Sequence, residues 1–353
     1  MEAASIPAPT VTRRGDAARD FMSKYGLIAV LLALPVGFAI SDLVKGRGLA
    51  PMANLLFIGL SNGAIWALIA VGYTLVYGII ELINFAHGDN FMLGSFVAFS
   101  LYGTLGLTLA TGALGLVGGL FVALIAAMLV CGALNVMIEK VAYRPLRNAP
   151  KLAPLITAVG FSFILQNVGI LWLGSSQRSI PDLIDNQHII VNLLGIEVRN
   201  GDVLALAVTI PIVIILVLFI QRSRMGKAMR ATAQDPEAAR LMGINVDTTI
   251  SFTFLLGGLL AGAAGLIYAL YQTTIWFFAG FQAGLIAFTA AVMGGIGNLQ
   301  GAVAGGLIIG IMQQIADNRI DARFTPAVVF AYLIIVMVFR PQGLFGEETR
   351  EAG

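Results

Sequence analysis

The sequence predicts an all-α integral membrane protein: a polytopic bundle of about 8–10 transmembrane segments, two of them broken, with halves related as inverted repeats. Three observations predict it. Of 353 residues, 58% are hydrophobic and 11% charged, against about 25% charged residues in a soluble domain, so most of the surface must meet lipid. Apolar runs long enough to cross a bilayer recur along the chain. Lys and Arg gather in particular loops, as they do on the cytoplasmic side of membrane proteins.

Residues 1–24 are polar and carry Arg13, Arg14, Arg19 and Lys24, ahead of an apolar run from Leu27 to Ile40. No small-x-small cleavage site follows cleanly, so a retained first helix behind a cytoplasmic tail is expected rather than a cleaved signal. Further apolar runs lie near 53–80, 91–105, 109–137, 152–173, 203–220, 250–270, 284–316 and 325–339. The run 284–316 is too long for one span and is cut at Met293-Gly294-Gly295-Ile296-Gly297-Asn298. The run 53–80 passes into Glu81-Leu82-Ile83-Asn84-Phe85-Ala86-His87-Gly88-Asp89, where polar residues interrupt an apolar stretch. Residues 25–345 therefore form one transmembrane domain, and 346–353 a cytoplasmic tail. Cys131, the single cysteine, can form no intrachain disulfide.

Orientation follows from the loops. The segment 138–151 holds Lys140, Arg144, Arg147 and Lys151, and 221–245 holds Arg222, Arg224, Lys227, Arg230 and Arg240. Both read as cytoplasmic. The segment 174–202 sets Arg178 and Arg199 against Asp182, Asp185, Glu197 and Asp202, and 271–283 has no basic residue. Both read as extracytoplasmic.

Three segments carry candidate chemistry. From Gly59 to Gly94 the apolar pattern contains Asn62, Glu81, Asn84, His87 and Asp89. An ionisable group at membrane depth costs about 2.5–3.5 kcal/mol on insertion scales, so it faces protein, a cavity or an interface. The segment reads either as a break lining a pathway or as a polar interfacial turn. The second segment, Gly294, Gly295 and Gly297 followed by Gly301, Gly305, Gly306 and Gly310, lacks the Gly-Lys-Ser/Thr ending of a phosphate loop. It suits close helix packing in lipid or a break beside the path. Interruptions in both halves are the pattern of transporters built from inverted repeats. In the third, Asp235 is placed to N-cap a short helix with Pro236 at its first position and Gly243 as its stop. That helix offers Ala238, Leu241 and Met242 for docking, or is an ordinary solvated helix. No nucleotide site, catalytic set or metal-ligand spacing appears, and no cofactor is expected. If transport is driven by ATP, the ATPase is another polypeptide.

The stretches Asn62-Gly63-Ala64 to Gly78, Ile83 to Gly88, Glu139-Lys140-Val141-Ala142-Tyr143-Arg144-Pro145-Leu146-Arg147, Ser223 to Asn245, and Ala290 to Gly297 with Gly301 resemble, in order, the signatures of branched-chain amino-acid ABC permeases of the high-affinity leucine-isoleucine-valine type. The likeness covers roughly 52–345. Asp89 stands where relatives often carry Glu, and the extension 1–50 with its extra span departs from the shorter family pattern. The resemblance implies a bacterial inner-membrane permease without enzymatic activity of its own. It implies a second, similar permease, two cytoplasmic ATPases and an extracytoplasmic binding protein as partners. It implies that the loop 222–245, with Arg230, Asp235, Glu237, Ala238, Leu241 and Gly243, docks into the ATPase. The expected path passes the broken segments at Asn62, Glu81, Asn84, His87, Asp89, Gly294, Gly295 and Gly297. Related permeases carry urea, short amides and other amino acids, which leaves those substrates as alternatives. An ion-gradient-driven secondary transporter is the alternative of another class.

Overall fold

The computed structural model describes residues 26–108, 110–147, 149–193 and 195–346. The expected tails 1–24 and 346–353 lie outside them, except for Gly346. Ten helices of 15 residues or more are described: α1 Leu27–Val44, α2 Ala50–Ile80, α3 Ala86–Thr104, α4 Ala113–Ile138, α5 Leu152–Leu173, α6 Asn200–Arg222, α9 Val246–Gln272, α10 Ala279–Gly294, α11 Leu299–Ala316 and α12 Thr325–Phe339. Two short helices, α7 Arg224–Gln234 and α8 Pro236–Leu241, lie between α6 and α9. Among the described residues, six stretches are apolar and long enough to cross a membrane outright, and the last of these, 299–339, divides at 317–324 into α11 and α12. The bundle is thus helical and polytopic, and the run 284–316 does fall into two pieces.

The two faces of the bundle separate by charge. Arg147 of the 138–151 loop reaches Asp247 at the start of α9, so the two basic loops share one face. On the other face a hairpin of β2 Ile189–Leu193 and β3 Ile196–Arg199 lies before α6, and β1 Arg178–Ser179 pairs with β4 Thr274–Ile275. The basic face is cytoplasmic by the positive-inside rule.

Small residues decide which helices sit at the centre. A Cβ on Gly59 of α2 would lie 2.7 Å from the Ile311 Cα, and one on Gly310 of α11 would lie 2.2 Å from the Gly63 Cα. Gly306 is equally close to Ala67. Residues 59, 63 and 67 are thus spaced by four against 306 and 310, the small-residue spacing that lets lipid-embedded helices touch backbone to backbone. Gly301 and Gly305 face the opposite way, onto Gly294 and Ala290 of α10. The glycine run therefore cements two contacts at once. On α9, Gly258 and Gly262 do the same against α4, and Gly265 against α3.

α2 and α9 end alike. Each is capped by a non-glycine residue in the left-handed region, Glu81 (φ 52°) and Thr273 (φ 51°). Their N–H groups bond Tyr77 O and Ala269 O. A short turn follows each, 81–85 and 274–278, and then a shorter helix. The first turn lies on the basic face and the second on the opposite face, the sense expected where repeats are inverted. By its helix cap, 81–85 resembles 274–278, and the glycine segment at 294–297 is a further break. The ends of α2 and α9 are each set by a single αL residue that composition does not reveal.

The extra helix α1 is held at both ends. Asp42, 1% exposed, accepts from Arg319 with Nη1–Oδ1 3.1 Å and Nη2–Oδ2 2.5 Å, and Tyr332 of α12 donates to Val30 O at 3.3 Å.

Candidate transport site

On the outer face a cavity of about 260 Å³ opens between α2, the end of the β2–β3 hairpin and the outer ends of α9 and α11. Asn62 lines it, with Asn186, Arg199, Asp202, Tyr271 and Gln313. Asp202 is 1% exposed; it accepts the Arg199 N–H at 3.3 Å and the Tyr271 hydroxyl at 3.2 Å. Gln313 takes the Trp66 indole N–H at 2.7 Å. Among the described residues the Asn62 side-chain oxygen has no hydrogen-bond partner. A buried amide normally finds one. Of the lining residues the sequence singled out Asn62, and gave Arg199 and Asp202 only as charges of an outer loop. The adjacent pair Gln313-Gln314 near the end of an apolar run was the signal for the rest.

Deeper in the bundle, Asn84, His87 and Asp89 are packed between helices and line neither this cavity nor the inner groove described below. Asn84 donates to Asn135 Oδ1 at 3.1 Å, and Asn135 donates to Phe254 O at 2.6 Å. The chain ties the 81–85 turn to α4 and α9. Asp89 Oδ2 accepts from Ser162 of α5 at 2.5 Å, and Gln166 donates to the same hydroxyl oxygen at 3.2 Å. His87 stands edge-on to Tyr73, 4.8 Å between centroids. It occupies the space over Gly72, where a Cβ would lie 2.4 Å from its Nε2. Glu81 is at the surface of the basic face, 2.8 Å from Lys151 Nζ. That hydrogen bond raises the Lys151 pKa above its ordinary value.

Gly294, Gly295 and Gly297 form the turn from α10 to α11. Gly295 (φ 107°) and Gly297 (φ 93°) adopt conformations that side chains resist. α10, with 16 residues, is about 24 Å long at 1.5 Å per residue, short of the roughly 30 Å hydrocarbon layer. Backbone that leaves a helix at that depth must be covered by protein or line a cavity. Both occur. Leu344 N bonds Met293 O and Phe345 N bonds Gly294 O, each at 2.9 Å, and Asn298 donates to Phe345 O at 2.9 Å. Gly297 also borders a groove of about 750 Å³ on the basic face, between the end of α6, α7 and the C-terminal segment.

The 222–245 loop is two helices, not one. Ser223 caps α7, its hydroxyl accepting the Gly226 N–H at 2.9 Å. Asp235 caps α8 as its sequence suggests, Oδ1 accepting from Glu237 N and Ala238 N at 2.9 Å each, with Pro236 next and Gly243 (φ 82°) past the end. Leu241 is 90% and Met242 82% exposed, and Glu237 and Ala238 are exposed beside them. Arg230 turns inward to donate to Ile220 O, capping the C-terminal carbonyls of α6.

The family model for the branched-chain amino acid transport system permease component matches residues 55–338. The chain is 40% identical over 299 residues, 84% of its length and 96% of the relative's, to the high-affinity branched-chain amino acid transport system permease protein LivH of Escherichia coli K12. It is 40% identical, over 83% of this chain and 95% of the relative, to the corresponding protein BraD of Pseudomonas aeruginosa. Identity is 27%, over 80% and 89%, to a probable branched-chain amino acid permease of Methanocaldococcus jannaschii. The matches begin after α1 in the family model and run through α2–α12, so the chain belongs to the family of branched-chain amino-acid transport permeases.

Proposed function

We propose that this chain is the permease subunit of an ATP-driven importer that moves leucine, isoleucine and valine across the bacterial cytoplasmic membrane. The observation that carries the reading is 40% identity along 96% of a permease of that transport system. The chain itself supplies path and coupling. ATP chemistry belongs to two cytoplasmic ATPase subunits, solute delivery to an extracytoplasmic binding protein, and the other half of the path to a second, homologous permease. The outer cavity at Asn62 receives solute. The turn at Gly294, Gly295 and Gly297 borders the inner half of the route, while Asn84, His87 and Asp89, packed between helices, hold its walls in register and Glu81 ties the 81–85 turn to Lys151. The exposed helix α8, through Glu237, Ala238, Leu241 and Met242, seats in the ATPase. Asp235 and Gly243 fix its ends, and Arg230 holds the preceding helix α7 to α6. Large apolar side chains exposed beside a charged helix are what a docking surface requires. Only a ligand that binds two states unequally can shift them, and ATP at the partner is that ligand.

The test is uptake of labelled leucine into proteoliposomes that hold this chain with its co-encoded partners and binding protein. ATP-dependent uptake competed by isoleucine and valine is expected. ATP-dependent uptake of urea or an amide instead would replace the substrate. Uptake driven by an ion gradient without ATP would overturn the function.

A further inference from the structure

Glu139 directly follows α4, in a five-residue π-turn on the basic face, and its side chain is fully buried. Its two oxygens are saturated. Oε1 accepts Arg144 Nε at 3.2 Å and Arg147 Nη2 at 2.5 Å. Oε2 accepts Arg144 Nη2 at 3.2 Å and the Ser251 hydroxyl at 2.8 Å. Arg147 reaches on to Asp247. Ser251 and Asp247 lie one turn apart on the first two turns of α9, so one buried carboxylate binds the end of α4 to the beginning of α9.

Each side of this junction leads somewhere. Toward the ATPase, α8 ends only a few residues before α9. Met242 N to Ala238 O, Gly243 N to Arg240 O and Ile244 N to Ala239 O tie the connection to α8, and Asn245 caps α9. A displacement of α8 is therefore passed to the first turn of α9. Toward the path, Tyr143, 1% exposed and four residues after Glu139, donates its hydroxyl to Ile83 O at 3.1 Å. Ile83 lies in the turn between α2 and α3. The same turn is held by Asn84 through Asn135 to α9.

We infer that Glu139 is a positioning residue for coupling, the centre of a latch through which movement of α8 is transmitted by α9 and the 139–147 segment to the 81–85 turn. The inference rests on the proposed docking of α8. A buried carboxylate between two guanidiniums is poor as a stabiliser but exacting about geometry, because separating the partners strands a charge. That property suits an element with two discrete arrangements better than a compliant apolar contact would. Ser251 and Asp247 are the movable side of the latch, at the edge of solvent, and Tyr143 is its fixed arm.

The readout is the number of ATP molecules hydrolysed per leucine imported, in proteoliposomes of the whole complex. A role in stability alone lowers both rates together and leaves the ratio unchanged. Glu139→Gln keeps the shape and loses the charge, and is expected to raise the ratio about tenfold, the size of an ordinary coupling free energy. The double variant Asp247→Asn/Ser251→Ala removes the α9 side and leaves Glu139 its contacts with Arg144 and Arg147, and is expected to raise the ratio in the same direction. If Glu139→Gln does not assemble, the double variant decides. Assembled variants with the wild-type ratio overturn the latch while leaving the importer intact. A wild-type complex that imports without ATP overturns the function on which the latch rests.

Discussion

The central helices α2 and α9 and the flanking helices α4 and α6 are all long and apolar, yet they solve different problems. In the most apolar windows of α2 and α9, 72% of residues are buried within the chain, against 17% for the window that contains α4 and 22% for α6. The central pair carries Asn62, Tyr73, Thr253 and closely spaced glycines among its buried positions. α4 instead exposes Leu114, Val117, Phe121 and Leu129. Lipid tails are as apolar as leucine, so hydrophobicity cannot draw one helix inward over another. Close packing of small residues and interhelical polar contacts do. The helices at the centre are therefore those that give up apolar bulk, and the most apolar helices are left outside.

That comparison is broken most sharply at the α2–α11 contact. Gly310→Leu must force backbone apart, since even a Cβ there would sit 2.2 Å from the Gly63 Cα. Overpacking of this kind costs about 3 kcal/mol, and here no flexible side chain can yield. The expected result is loss of folded permease in detergent, read as loss of the monodisperse peak and of thermal stability. Retention of both would mean that α2 and α11 are held by something other than glycine contact.

The next effect concerns α8 and leaves the core alone. Glu237→Arg/Leu241→Asp alters two exposed side chains, and exposed substitutions change folding by about 0.5 kcal/mol at most. Uptake should nonetheless fall about tenfold or more with the permease still folded and inserted. Normal ATP-dependent leucine uptake by this variant would remove α8 from the coupling surface. Asp235→Ala should act in the same direction but more weakly. It removes a cap that accepts two N–H groups, about 1 kcal/mol of helix stability, and so frays α8 without changing the residues it presents. Its effect on uptake should exceed its effect on the melting temperature of the permease.

How much of this was legible follows the same division. The capping of α8 could be read directly, because Asp235, Pro236 and Gly243 act within one helix and their geometry is local. The division of 284–316 could be read because Asn298 and the glycines before it interrupt one run. α7 was not separated from α8, since Ser223 sits before a basic stretch whose amphipathic face shows only once it packs on α6 and α9. The outer cavity was legible at Asn62 alone. Asp202, Tyr271 and Gln313 come from three elements, and nothing in their spacing announces that they meet. Glu139 was visible inside a family signature, but its partner Ser251, and Asp247 reached through Arg147, lie more than a hundred residues away. Local chemistry is written in the sequence where a residue acts on its own neighbours, and hidden where packing chooses the partner.

The smallest effect sharpens the comparison from the outside. Gly118 lies on the exposed face of α4, and a Cβ there would meet nothing within 4 Å. Gly118→Leu adds bulk and a good helix former to a surface bordered by Leu114, Val117 and Phe121. If that face meets lipid, stability should change by about 0.5 kcal/mol at most, and assembly with the second permease should be untouched. The measurement pairs thermal stability of the isolated chain with co-purification of the partner permease. An unchanged melting temperature with lost co-purification would reassign the face from lipid to the permease pair. The exposed side chains of α4 would then be an interface rather than a bilayer contact, and the rule that the most apolar helices face lipid would stop at α4.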